Sequence, residues 1–169
     1  MAAEAPIAPI HDKDDTSISH LSLCITAGST LCMWSGTPSS ETNGQIVLSL
    51  APGASVIIGR QDGGETEYLD PNYRPTQIMP GTGQAVVSSN PEDTYVSRGH
   101  FMLRGSTQGI IFVNGVPKRG GGIRPPMNWT QMLSPSHRLF KEGEEFLIER
   151  GAFLQIHLPN GTVIMIGAE

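Results

Sequence analysis

The sequence predicts an all-β protein: a two-sheet antiparallel β-sandwich with long loops between its strands and little or no helix. Glycine (20) and proline (13) interrupt the 169-residue chain almost everywhere. A helix needs an uninterrupted amphipathic window of roughly 10 to 12 residues. Short apolar runs separated by turn signals recur along the chain, and this is the pattern of a β-sandwich.

The strands follow from local patterns. The longest stretch without glycine or proline alternates as Leu21, Leu23 and Ile25, which is strand periodicity. The turn Pro52-Gly53 separates the second and third apolar runs, and Asn160-Gly161 separates the last two. The predicted strands are 18–26, 46–50, 55–59, 100–104, 110–113, 146–149, 154–158 and 163–166.

Three segments lack these patterns. Residues 1–16 are rich in Ala, Pro and Asp and are expected to form a flexible lead-in, so that 17–169 form a single domain. Segments 62–93 and 115–128 are dense in glycine, proline and asparagine and are predicted to be irregular surface loops.

Composition narrows the classes of function. No apolar run approaches the ~20 residues of a membrane span, and residues 1–10 lack the features of a secretory signal, so a cytoplasmic protein is expected. Cys24 and Cys32 flank a short turn and form either a disulfide between paired strands or two separate thiols. The histidines and cysteines have no metal-site spacing, so no metal and no cofactor are expected.

Charge is unevenly distributed along the chain. The net charge is −5, yet the stretch from Thr94 to Lys141 contains seven lysines and arginines and no acidic residue, which leaves −12 for the remainder (−5 minus 7). Such segregation favours an anionic ligand on one face, and an ordinary solvated surface is the alternative. The acidic overall charge argues against nucleic acid as the ligand.

Three fragments occur in a characteristic order: Gly59-Arg60 at the end of a predicted strand, Ser97-Arg98-Gly99-His100 entering another, and an asparagine-bearing loop around Asn128. On a β-sandwich they resemble the forkhead-associated (FHA) family over roughly residues 46 to 166. The resemblance implies a phosphothreonine-peptide binding module that acts as a signalling adaptor and has no catalytic residues. A degenerate FHA-like scaffold that binds an unphosphorylated partner, or itself, is the alternative.

The chemistry of these residue types fits phosphate binding. Arg60 offers a permanent cation with fork geometry, Ser97 a hydroxyl donor, and Arg98 its backbone amide or side chain. By resemblance, Gly59 and His100 support the binding loops. A Ser-His hydrolase pair is the competing interpretation, but the sequence has no nucleophile elbow and no obvious acidic partner nearby, so no enzyme is expected.

Two asparagines compete for the family's peptide-binding position. Asn114-Gly115 looks like the motif but follows His100 too closely, whereas Asn128 leaves room for a strand, a turn and a returning strand. Asn128 is therefore preferred and Asn114 is the second choice. Around Asn128 the family's usual threonine is replaced by Met127 and its usual glycine by Trp129, which either forms an apolar wall for the peptide or only packs. The sequence does not determine the oligomeric state.

Overall fold

The prediction of an all-β fold is confirmed. The computed structural model describes residues 18–27, 32–35, 45–59, 81–86, 95–97, 99–118 and 120–169, and these residues contain fourteen strands and no helix. The predicted lead-in, 1–16, lies outside the described residues. The strands are β1 Ser19–Ala27, β2 Cys32–Ser35, β3 Gln45–Leu50, β4 Ser55–Gly59, β5 Gly81–Val86, β6 Phe101–Gly105, β7 Gly109–Val113, β8 Val116–Pro117, β9 Ile123–Arg124, β10 Gln131–Ser134, β11 Arg138–Leu139, β12 Glu145–Glu149, β13 Phe153–His157 and β14 Val163–Ala168.

The strands form two six-stranded sheets and one two-stranded ribbon. The first sheet has the order β11-β10-β13-β14-β1-β3, and the second has the order β12-β7-β6-β4-β5-β2. The ribbon consists of β8 and β9. Every pairing is antiparallel except that of β4 with β5, which is parallel. Strands that are consecutive in the sequence often lie in different sheets, as expected of a sandwich.

The main core lies between the two sheets. The first sheet contributes Leu154 and Ile156 of β13, together with Leu158, which directly follows that strand. The second sheet contributes Phe101 and Leu103 of β6. All five side chains are fully buried. Strand alternation places these residues on one face, and burying that face supplies most of the favourable free energy of folding.

The second sheet is also covered on its outer face. All five residues of β4 are buried. On the outer face, Ile57 packs in one cluster with Met102 of β6, Val113 of β7 and Val116 of the ribbon. This explains why β4 reads as a continuous apolar run rather than an alternating one. The ribbon is therefore packed against the sheet, and it leads directly into the asparagine-bearing loop.

A row of aromatic rings lies beneath the loops that carry the predicted site. The ring centroids of Phe101 and Phe112 are 5.2 Å apart, and those of Phe112 and Phe140 are 4.6 Å apart. Phe101 directly follows His100, and the amide of Phe140 donates to the carbonyl of Thr130 (2.9 Å). Tilted pairs at these distances are favourable packings of aromatic rings. They give the loops a rigid base.

Several short strands were not predicted. Strand β5 lies inside the segment 62–93, and the ribbon lies inside 115–128, so these two segments are not irregular throughout. Strands of two to six residues next to glycine or proline give little periodicity, and distant pairing stabilises them instead. Strands β2, β10 and β11 were missed for the same reason.

Two further expectations can be compared with the structure. Cys24 is a free thiol, and β1 and β2, which carry the two cysteines, belong to different sheets, so they are not the paired strands between which a disulfide was considered. In the part of the chain that the structure describes, no helix is long and apolar enough to cross a membrane.

Candidate functional site

His100 lies at the centre of the predicted site, at the start of β6. Its backbone amide donates to the carbonyl of Ile58 (3.0 Å), which extends the β4–β6 ladder and places His100 opposite Gly59. Both residues are buried. The side-chain Nδ1 of His100 accepts a hydrogen bond from the backbone amide of Ser97 (3.1 Å). His100 thus joins the Ser97 loop to the end of β4.

A chain of buried hydrogen bonds continues from the other ring nitrogen. Nε2 of His100 lies 2.9 Å from Oγ1 of Thr130, and this hydroxyl donates to Oδ1 of Asn114 (2.8 Å). Nδ2 of Asn114 then donates to the carbonyl of Lys141 (3.0 Å). Because the Thr130 proton is used toward Asn114, the hydroxyl oxygen accepts from His100, and His100 is the neutral tautomer protonated on Nε2. Four separate segments are connected by this chain.

Burial keeps His100 neutral. Removal from water lowers the pKa of the His100 imidazole from 6.5 to about 4, and a hydrogen bond with the backbone of Trp129 partly opposes that shift. A protonated ring would also have to donate from Nδ1, which already accepts from the Ser97 amide. The imidazole is therefore a fixed structural group near neutral pH.

Two further hydrogen bonds connect the Ser97 loop to the Asn128 loop. Oγ of Ser97 accepts from the backbone amide of Met127 (2.9 Å). Nδ2 of Asn128 donates to the carbonyl of Tyr95 (3.1 Å). These bonds bring together two loops that are separated by about thirty residues in the sequence. Ser97 and Asn128, predicted to act in one site, therefore lie side by side at one end of the sandwich.

The polar atoms of Ser97 and Asn128 are only partly used. Ser97 is half-buried, and within the described residues its hydroxyl proton has no acceptor. Asn128 is also half-buried, and Oδ1 of its side chain has no donor among the described residues. One hydroxyl donor and one amide acceptor are thus held in place by the fold and available to a ligand.

Asn114 differs from Asn128 in this respect. Its side chain is 3% exposed, and both its amide oxygen and its amide nitrogen are engaged with Thr130 and Lys141. The two candidate asparagines therefore differ in exposure. Asn114 is buried and bonds to Thr130, whereas Asn128 is half-buried in the loop that precedes Thr130.

Arg60 and Arg98 lie outside the described residues, although each directly follows a residue that is described, Gly59 and Ser97. Gly59 is buried at the end of β4, opposite His100.

The charge segregation is weaker in space than along the sequence. Arg138 forms a two-pronged ion pair with Glu144, with Nη1 at 2.9 Å from Oε1, and Arg104 pairs with Glu145 at 3.1 Å. The hydrogen bond with Arg138 lowers the pKa of the Glu144 carboxyl. Acidic residues that follow the acid-free stretch thus neutralise part of it. Lys118, on the loop of the ribbon, is exposed.

Sequence reasoning assigned no role to Thr130, the residue that joins His100 to Asn114. Thr130 is fully buried, and a buried hydroxyl is nearly always hydrogen-bonded. One sequence signal could have found it. Thr130 stands two positions before the apolar Met132, and alternate residues of a strand share one face, so Thr130 could be expected to face the core with Met132. Its hydrogen-bond partners, His100 and Asn114, lie in other segments of the chain, and the sequence does not indicate that the three side chains meet.

Comparison with known proteins finds no relative: no family model, no curated protein and no solved structure matches the chain. Among the described residues, no group of three or more His, Cys, Asp or Glu side chains could hold a metal ion.

Proposed function

We propose that this chain is an FHA-like domain that binds phosphothreonine peptides and acts as an adaptor between proteins in the cytosol. The observation that carries the proposal is the hydrogen bonding of the Ser97 hydroxyl. Its hydroxyl oxygen is fixed by the Met127 amide, and its proton is left for a ligand at the loop end of a β-sandwich. Loops mounted on rigid strands are the usual location of binding residues.

A phosphate group matches the donors of this site. Near neutral pH it carries about −1.5 to −2 charges and three strong acceptor oxygens. The Ser97 hydroxyl supplies one short donor. Arg60 and Arg98, which follow Gly59 and Ser97 in the sequence, supply the cations, and a guanidinium can donate two parallel hydrogen bonds to a phosphate.

Asn128 is assigned to the peptide backbone. Its side-chain oxygen can accept from a peptide amide while its nitrogen stays bonded to Tyr95. Asn114 and His100 are assigned to support, since the buried chain through Thr130 uses their polar atoms. This division favours Asn128 over Asn114 as the peptide contact.

The geometry favours binding over hydrolysis. A serine nucleophile needs its hydroxyl within hydrogen-bond reach of a general base. Here Nδ1 of His100 accepts from the backbone amide of Ser97, and the Ser97 hydroxyl is bonded to Met127 instead. A histidine with a pKa of about 4 is also a weak base at neutral pH.

The test is binding to an oriented phosphothreonine peptide library and to the same library after phosphatase treatment. The wild-type protein should capture only the phosphorylated library. Arg60→Ala and Ser97→Ala should each strongly reduce this capture, while Arg104→Ala should retain it, because Arg104 pairs with Glu145 away from the loops. Circular dichroism of each variant establishes that it is folded.

Equal capture of both libraries by the folded wild-type protein would overturn the proposal. Capture of a protein partner that resists phosphatase and Arg60→Ala would instead establish the degenerate scaffold. An FHA-like sandwich would then serve a different interaction.

A further inference from the structure

The outer face of the first sheet lacks lysine, arginine and acidic residues. On β13 and β14, buried residues alternate with half-buried or exposed ones, and the latter point away from the core. Wherever the structure describes the side chain, the outward positions of these two strands and of β1 and β3 hold no Lys, Arg, Asp or Glu. The second sheet differs, since Arg104, Glu145 and Glu149 lie on its outer face. Charged residues are depleted at the centre of protein interfaces, so the first sheet has the composition of an interaction surface.

One row of cross-strand neighbours forms a trough on this face. Strand pairing places Gly167 of β14 between Phe153 of β13 and Ser22 of β1. Ser22 in turn pairs with Val47 of β3. Phe153 is 49% exposed and Val47 is 63% exposed, whereas the two residues between them are small. Because neighbouring strands lie about 4.8 Å apart, the two large side chains stand about 14 Å from each other, and the trough is two strands wide.

The floor of the trough is open at Gly167. The φ of Gly167 lies outside the left-handed region, and a Cβ built on it would have the Cβ of Ser22 as its nearest neighbour among the described residues, at 3.8 Å. The ring of Phe153 therefore does not cover this glycine, although Phe153 is its direct neighbour on β13. Neither backbone conformation nor close packing within the described residues requires a glycine at this position.

The projecting ring and the trough are suited to fill each other in two copies of the chain. Copies related by a two-fold axis present the same patch to one another. A two-fold axis parallel to the strands, between β13 and β14, brings each Phe153 over Gly167 and Ser22 of the other copy and overlaps the two sheets over most of their width. Without lysine, arginine or acidic residues, the two identical faces do not repel each other.

The area of the face is sufficient for a dimer. Four strands about 4.8 Å apart, with about three outward positions each at intervals of about 6.8 Å, span about 19 by 20 Å. The shorter strands β10 and β11 extend the sheet beyond β13. Two copies therefore bury about 1,000 Å², which reaches the lower limit for a specific interface. An interface of this size predicts a weak dimer, with a Kd on the order of 10 µM.

We propose that the outer face of the first sheet is the interface of a homodimer, in which Phe153 of each copy packs into the trough above Gly167 and Ser22 of the other copy. The proposal does not involve Ser97 or Asn128, and it does not rest on the proposed function.

Sedimentation equilibrium of the full chain, from about 1 to 500 µM, tests the proposal. The wild-type protein should show a monomer–dimer equilibrium with a Kd on the order of 10 µM. Phe153→Asp places a carboxylate against the other copy's trough and should weaken the dimer at least about 10-fold. Gly167→Val fills the trough and should weaken it to a similar extent.

The glycine variant separates loss of the interface from loss of the fold. Valine favours strands, and Gly167 has room for a Cβ, so the monomer of Gly167→Val should unfold at a temperature at least as high as that of the wild type. Lys118→Asp is the control for added negative charge. Lys118 is exposed beside the ribbon, which packs on the outer face of the second sheet, so this variant should dimerise as the wild type does.

Two results would overturn the proposal. The first is a wild-type protein that stays monomeric up to about 500 µM, well above the dissociation constant of a weak dimer. The second is a dimer whose affinity is unchanged in folded Phe153→Asp and Gly167→Val proteins, since dimerisation would then use another surface. Loss of the dimer in both variants, with retention in Lys118→Asp, would assign the interface to this face.

Discussion

The side-chain oxygen of Ser97 accepts a hydrogen bond from the backbone amide of Met127, at 2.9 Å. This bond joins two loops that are thirty residues apart in the sequence and fixes the direction of the Ser97 hydroxyl. A donor that is already oriented loses little entropy when a ligand binds.

Ser97→Ala should lower the affinity for a phosphothreonine peptide about 10- to 100-fold, because a hydrogen bond to a charged group contributes about 1.5 to 3 kcal/mol. Ser97→Thr keeps a hydroxyl and should retain most of the affinity. Fluorescence anisotropy with a labelled peptide measures the change. Ser49→Ala, on β3, is the control and should bind as the wild type does. Unchanged affinity in Ser97→Ala would remove Ser97 from the site.

Alanine substitutions should separate the two asparagines. Asn128→Ala should weaken peptide binding with little effect on stability, because Asn128 is at the surface of the loop. Asn114→Ala should lower the free energy of unfolding by about 2 to 4 kcal/mol, because it leaves the buried Thr130 hydroxyl without its acceptor. Urea unfolding and peptide titration of both variants test this, and the reverse pattern would exchange their roles.

Thr130→Val should destabilise the fold although the two side chains have similar shapes. The substitution removes the hydroxyl that lies between Nε2 of His100 and Oδ1 of Asn114, and it leaves the buried Oδ1 of Asn114 without its donor. Each unsatisfied buried polar group costs about 1 to 3 kcal/mol. Thr26→Val, at an exposed position of β1, is the control and should change the unfolding free energy little. Equal stability in the two variants would show that the buried chain contributes nothing.

Stability should depend on pH through His100. Its pKa is 6.5 in the unfolded chain and about 4 in the folded protein, so the unfolded chain binds a proton first as the pH falls. The full contribution is present above pH 6.5 and is lost as the pH falls toward 4. The free energy of unfolding should therefore drop by roughly 2 to 3 kcal/mol between pH 6.5 and 4.5.

The fall in stability between pH 6.5 and 4.5 can be assigned to the His100 imidazole, because the carboxyl of Glu144, whose pKa is also shifted, acts at lower pH. The pKa of Glu144 is lowered from 4.5, mainly by its hydrogen bond with Arg138, so its contribution is present above 4.5 and lost below it. Urea unfolding at several pH values between 4.5 and 7 measures the slope. His100→Asn should reduce that slope, and an unchanged slope would assign the effect to other groups.

Gly115 should tolerate alanine far less well than Gly121. Gly115 has a φ of +137°, and an added Cβ would lie 2.5 Å from the carbonyl oxygen of Arg124, whereas Gly121 (φ +93°) has open space around it. Gly121→Ala should cost about 1 to 2 kcal/mol from its backbone conformation alone. Gly115→Ala should cost at least about 3 kcal/mol, as the clash adds to the strain. Thermal or urea unfolding of both variants compares them, and similar costs would show that the ribbon adjusts easily.

Local patterning was sufficient for the strands that face the core. Leu21 and Leu23 in β1, like Leu154 and Ile156 in β13, alternate with less buried residues, and the observed strands lie within one or two residues of the predicted ones. The ribbon and β5 were missed because their partners, rather than their own periodicity, make them strands. The alternation of apolar and polar residues in these strands is enough to predict the all-β class.

The sequence by itself determined the all-β class, the main strands and the loops that carry Ser97 and Asn128, because alternation, glycine and proline act locally. Tertiary structure decided which side chains meet. Only the packed sheets bring Met127 to Ser97 and bring Thr130 between His100 and Asn114. Hydrogen bonds and ion pairs act over about 3 Å, and distances of that size between remote segments are fixed by strand pairing and core packing, which no local pattern encodes.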